Sequence, residues 1–114
     1  MHELGLLDAM LRTMDGIMAK ETDVTSVGRI TVEVGELSGA VPKFLYDCWE
    51  AVREGTKYAD TELVVKMIPG TAKCVDCGAE FRIDLGSMRC PRCGGGRLAP
   101  LTGRDMTITE IEAV

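Results

Sequence analysis

Cys74-Val75-Asp76-Cys77, twelve intervening residues, then Cys90-Pro91-Arg92-Cys93: no other part of the 114-residue chain constrains its architecture so tightly. Each Cys-x-x-Cys pair is a short turn that points two sulfurs the same way, and two such pairs can close four thiolates around one tetrahedral ion. Zn(II) suits that set, being borderline-soft and without a geometric preference against the tetrahedron. Gly78 and Gly94 each follow the second cysteine of a pair, where positive φ is expected to turn the glycine amide toward a sulfur. A small hairpin is expected over Glu80 to Arg89, between the two knuckles. A complete four-cysteine set leaves no open coordination position, so the metal is expected to be structural. The ligands alone leave iron in an all-sulfur site open as an alternative. Disulfides would need an oxidising compartment, and nothing in the chain directs it to one. A dithiol redox site usually shows one such pair beside a strand–helix unit.

Outward from this stretch, composition divides the chain. Hydrophobic content of 46% is ordinary for a globular protein, while 4% aromatic is low. Residues 1–69 and 103–114 can close a modest core and are read as one discontinuous domain. Residues 70–102 hold too few large apolar side chains to fold without metal and are read as a zinc-ribbon domain. The net charge is −5, yet Gly70 to Gly103 carries five basic residues against three acidic ones, leaving the remainder strongly acidic. Four thiolates and a divalent ion bring the metal module near neutrality, a poor footprint for gripping phosphates. The first residues include His2, Glu3 and Asp8 and lack a basic start before an apolar run, so no secretory signal is expected. No apolar stretch approaches the ~18 residues of a membrane span. The chain is therefore expected in the cytoplasm.

The periodicities give the elements. Leu4, Leu7, Leu11, Met14 and Met18, widened by Met10 and Ile17, predict an amphipathic helix from Glu3 to Lys20. At this spacing the methionines are read as core and not as a soft-metal box. Ile30, Val32 and Val34 alternate with polar residues, predicting a half-buried strand over Val27–Glu36. Pro42 opens a second helix whose apolar face is Leu45, Cys48, Trp49 and Val52, closing at Gly55. Cys48 has no partner at knuckle spacing and is read as a small buried hydrophobe. A second strand is expected over Thr61–Ile68, with Leu63, Val65 and Met67 on one face. A third is expected over Arg104–Glu112, with Met106 and Ile108 inward. Ile111 has the opposite parity, which predicts a bulge or a frayed end. The fold class that follows is α+β: a three-stranded sheet with two helices on one face and the four-cysteine zinc ribbon inserted before the last strand.

The single histidine, His2, stands where the α-amine of Met1, its own backbone nitrogen and its imidazole can form two fused chelate rings. Ni(II) or Cu(II) favours such a planar nitrogen set, and the Glu3 amide or a nearby carboxylate can supply the fourth position. On its own this signal is weak, because a histidine at position 2 is more often a solvated terminal residue.

Met1-His2-Glu3-Leu4, the segment Val34-Gly35-Glu36-Leu37-Ser38-Gly39, the Gly55-Thr56 close of the second helix and the paired knuckles together resemble the HypA family, from Met1 to about Glu112. That family comprises the nickel metallochaperones of [NiFe] hydrogenase maturation. The resemblance implies that Ni(II) is a transient cargo bound at the amino terminus through His2 and neighbouring backbone nitrogens, the Met1 amine among them, with Glu3 lying beside them. It implies a structural zinc in Cys74, Cys77, Cys90 and Cys93. It also implies a HypB-type GTPase as partner and the hydrogenase large-subunit precursor as client; some members also serve urease. Gly5 stands where many relatives carry serine. The competing reading is a zinc-ribbon nucleic-acid or protein-interaction module, against which the acidic balance and the lone aromatic Phe81 in the ribbon argue. An enzyme is not expected: the cysteine set is saturated, no phosphate-binding glycine loop is present, and His2 is the one ready neutral-pH base. No nucleic-acid or membrane partner is expected.

Overall fold

The computed structural model describes residues 2–21 and 24–113, without the side chain of His2. Helix α1 spans His2–Met18, and strand β1 spans Val27–Gly35. A 3-10 turn at Glu36–Ser38 leads to helix α2, Pro42–Arg53, with proline in its first turn. Strand β2 follows at Glu62–Ile68, then β3 at Thr71–Cys74, β4 at Glu80–Arg82, β5 at Leu98–Thr102 and β6 at Met106–Ala113. They form two three-stranded sheets, ordered β2-β1-β6 and β4-β3-β5. The molecule is elongated, 54 × 26 × 17 Å.

β1 is the centre of the first sheet, parallel to β2 and antiparallel to β6. A parallel neighbour requires a crossover, which α2 supplies. Ile30, Val32 and Val34 of β1 are buried with Leu63 of β2 beneath Leu7, Met10 and Met14 of α1 and Leu45 and Trp49 of α2. The opposite parity of Ile111 is resolved by a bulge. Glu110 pairs with Thr31 and Ile108 with Val32, so Thr109 is an extra residue in β6, and Ile111 comes opposite Ile30. On the solvent side, Arg29 reaches Glu62 of β2 at 3.2 Å and Glu112 of β6 at 3.3 Å, bridging all three strands.

Several expectations need correction. Leu4, read as part of the α1 stripe, is 41% exposed, and Ile17 is also exposed, so the buried stripe is the narrower Leu7–Met10–Met14. Met67, expected inward beside Leu63 and Val65, is exposed on the edge strand β2, although Val34 opposite it on the central strand is buried. The third strand begins at Met106, two residues later than expected. Glu80–Arg89 is not a hairpin: β4 stops at Arg82 and pairs back with β3 across the first knuckle. β5, unforeseen as a strand, pairs with the other side of β3.

Buried polar groups of the first sheet are closed by Thr61, whose hydroxyl donates to the Val27 carbonyl at 2.6 Å. Its own carbonyl accepts from Trp49 Nε1 and from Arg53, each at 3.0 Å. Thr61→Val keeps the shape and removes the hydroxyl donor, so chemical denaturation should report a loss of about 1–2 kcal/mol. An unchanged midpoint would mean that Val27 has enough in its strand ladder alone.

Candidate metal centre

The four ribbon cysteines come together although the two knuckles lie at opposite ends of the segment Cys74 to Cys93. Their sulfurs all lie within 4.8 Å of one another, with Cys74–Cys93 at 3.5 Å and Cys77–Cys90 at 3.6 Å. A disulfide would need ~2.05 Å. A regular tetrahedron of metal–sulfur bonds of ~2.3 Å has edges of ~3.8 Å, so the set fits one tetrahedral ion. All four positions would be taken by protein, and nothing is left to hold a substrate.

Two matching turns build the cluster. The Cys74 amide donates to Ala79 O, as the Cys90 amide donates to Gly95 O; Gly78 donates to Cys74 O, as Gly94 donates to Cys90 O. Gly78 and Gly94 have φ of 77° and 74°, the positive values expected of them. Their amides, however, go to these carbonyls and not to sulfur. The amides aimed at sulfur belong to Arg92 and Cys93, both on Cys90 at 3.4 Å, and to Gly95, on Cys93 at 3.4 Å. The Ala79 amide serves Cys77 in the same way. The turn overshoots by a residue because the glycine must close the backbone loop before the next amide can face inward.

Electrostatics divide the thiols. Burial opposes ionisation of Cys90, but the amides of Cys93 and Arg92 and the neighbouring thiols outweigh it and draw its pKa down to about 7. At Cys93 the Gly95 amide favours the thiolate, yet Cys74, burial and the remaining thiols push the pKa up to about 12. Without a cation, one thiolate suppresses the next; a divalent ion removes that penalty and takes all four. Sequence reasoning missed the brace around the first knuckle. Asp76, between two ligands, is ion-paired with Arg97, which leads into β5, and the Val75 amide donates to Arg97 O at 2.9 Å. An acid and an arginine twenty-one residues apart carry no spacing signal that could have paired them.

The readings on Met1 and on the His2 side chain lie outside the described residues. Glu3 is described: its carboxylate accepts from the Val41 amide at 3.3 Å, where α2 begins. It also lines a cavity of about 340 Å³ with Phe44, Asp47 and Cys48. Cys48 is partly buried against the core, close to its expected role.

The family described as "Hydrogenase/urease nickel incorporation, metallochaperone, hypA" matches residues 1–113. The chain belongs to the HypA family. Among its relatives, the hydrogenase maturation factor HypA of Streptomyces avermitilis is 34% identical over 112 residues, covering 97% of this chain and 86% of the relative. That of Aquifex aeolicus is 31% identical, covering 98% and 96%. The solution structure of the Ni metallochaperone HypA from Helicobacter pylori superposes with a TM-score of 0.72 at 22% identity, over 100% of this chain and 98% of the other. A second solution structure of a HypA protein gives 0.63 at 21% identity, covering 93% and 91%. These two likenesses bear on the fold, which they share with this HypA-family chain. The family is described as a metallochaperone for nickel incorporation and its relatives as hydrogenase maturation factors. Among the described residues no helix is long and apolar enough to cross a membrane.

Proposed function

We propose that the chain is a cytoplasmic nickel carrier that binds Ni(II) at its amino terminus and passes it to the large-subunit precursor of a [NiFe] hydrogenase, acting with a HypB-type GTPase. The observation that carries this reading is family membership over residues 1–113 combined with a closed four-cysteine cluster. Cargo must go elsewhere, because four sulfurs saturate the ribbon site. Zinc is the resident ion assigned to Cys74, Cys77, Cys90 and Cys93, on the chemistry of an all-thiolate tetrahedral set. Reduced thiols of this kind persist in a reducing compartment.

The nickel ligands in this reading are the amine of Met1, the amides of His2 and Glu3, and the His2 imidazole. The start of α1 supports it. Helical assignment begins at His2, and the first amides of a helix have no intrahelical acceptor. Giving the His2 and Glu3 nitrogens to a metal therefore sacrifices no bond of the α1 ladder, and the positive end of the helix favours deprotonated amides. The Glu3 carboxylate, engaged by Val41, serves here as a tether while the Glu3 backbone serves as ligand. Residues 1–69 with 103–114, and residues 70–102, are proposed as separate domains with separate metals.

Equilibrium dialysis of untagged protein against Ni(II) tests the site. His2→Ala should weaken binding by at least about 100-fold, since even losing an outer partner of a ligand commonly weakens a metal site by about 10–100-fold. An appended amino-terminal tag should do the same by consuming the amine. Equal stoichiometry and affinity in wild type and His2→Ala would remove the proposal.

A further inference from the structure

The two sheets meet at a single crossing. The chain leaves the first sheet at Ile68 and enters the second at Thr71; it leaves the second at Thr102 and returns at Met106. At Gly103 backbones touch without a side chain between them, while at Gly70 the Leu37 side chain packs directly on the chain. A Cβ on Gly103 would lie 2.7 Å from both Gly70 Cα and Pro69 O. Leu37 donates to Gly103 O at 2.7 Å, and Thr102 Oγ1 donates to Pro69 O at 2.9 Å. Such a crossing fixes how closely the halves approach. Rotation about its glycines is left to whatever side chains span the gap.

Glu36 and Arg82 span it. Glu36 opens the 3-10 turn of the α/β half, and Arg82 ends β4 in the ribbon half. The guanidinium donates to Glu36 Oε2 at 2.7 Å, and the same carboxylate accepts from the Gly70 amide. The Glu36 side chain is 24% exposed, against 67% for Arg82, so the acid is seated and the arginine comes to it. Two donors of different origin give the link direction as well as attraction. Among the described residues this is the ion pair that joins the two halves; the other pairs lie within one half.

We propose that Glu36 and Arg82 form a latch that holds the four-cysteine unit at one orientation to the α/β half, and that opening it lets the unit swing about Gly70 and Gly103. The latch joins the strand that follows the first knuckle to the segment that leads toward Glu3. β4 follows Cys77 closely, so Arg82 moves with the first knuckle. Glu36 starts the segment that runs to Val41, whose amide holds Glu3 at the head of α1. A protein partner that offers Glu36 a competing cation would open the latch and change what the ribbon presents. This goes beyond the nickel reading and stands independently of it.

The test is backbone ¹⁵N relaxation on the metal-loaded full chain. Wild type should show one rotational correlation time for both halves. In Arg82→Ala that common value should be lost, with the four-cysteine unit reporting a shorter time while its amide dispersion and its metal are retained. Arg82→Lys, which returns a cation to Glu36 and leaves its bond from the Gly70 amide in place, should restore the common value. A single shared time in Arg82→Ala overturns the latch, as does failure of Arg82→Lys to restore it. If Arg82→Ala loses its metal, Glu36→Gln decides from the other side, because it removes the charge and leaves an acceptor for Gly70. A shared time in that variant overturns the latch equally.

Discussion

Cys90→Ser should release the ribbon metal and unfold residues 70–102 while leaving the α/β half folded. Apart from the ligands Cys74 and Cys90, the buried side chains of this segment are Ala72 and Ile83. Burying an isoleucine is worth about 2 kcal/mol, whereas a structural zinc supplies about 10–16 kcal/mol of apparent binding energy at neutral pH. A tetrahedral ion bound with such energy would therefore dominate the ribbon's stability. Cys90 is the ligand whose loss should be felt most, since two amides, from Arg92 and Cys93, are aimed at its sulfur. The single tryptophan of the sequence makes the experiment selective. Trp49 is 2% exposed in the core of the other half, so its fluorescence should hardly change. Limited proteolysis should then cut between the knuckles, and a chelator strong enough to strip wild type should reproduce the pattern. A variant that loses the metal yet keeps dispersed amide signals over 70–102 would show that strand pairing alone sustains the ribbon.

What could be read beforehand follows from how local each signal is. The metal centre was legible because all four cysteines lie in one short stretch with turn-forming spacing, and the structure closes that stretch on itself. β1 and α2 were legible because burial on one face writes its period into the sequence. Even the bulge in β6 was announced by the parity of Ile111. The misses have a common cause in long-range pairing. β4 and β5 are short, mostly exposed and lack alternation, so only their partner β3 makes them strands. Met67 has the right parity but lies on the edge strand, where parity alone does not bury it. Glu36 belongs to a motif legible as a loop, yet its partner Arg82 lies forty-six residues away. The glycines at the crossing looked like ordinary turn punctuation; that they are needed for contact became visible only when the segments were brought together.

The same crossing underlies a second large effect. Gly35→Ala should destabilise the protein by about 3 kcal/mol, the upper end of what overpacking usually costs. Gly35 ends β1 with φ −70° and ψ 138°, a conformation open to any residue, so the conformation itself is no obstacle to alanine. The obstacle is space. A Cβ would lie 2.0 Å from Gly103 O and 2.8 Å from the Arg104 amide nitrogen, and these are backbone atoms with no rotamer to move into. Nor can the backbone retreat easily: the Gly35 amide donates to Asp105 O at 2.8 Å, and Gly103 O accepts from Leu37. Relief therefore means parting β1 from the return segment that carries β6, at the seam between the two halves. With urea slopes of about 1–3 kcal/mol/M for small proteins, the midpoint should fall by at least about 1 M. Gly16→Ala is the matched control. It lies on the exposed side of the last turn of α1 with nothing within 4 Å of an added Cβ, and should raise stability by about 0.5–1 kcal/mol. If both substitutions moved the midpoint the same way and by similar amounts, backbone entropy would account for the two, and the close approach of Gly35 to Gly103 would carry no energetic weight.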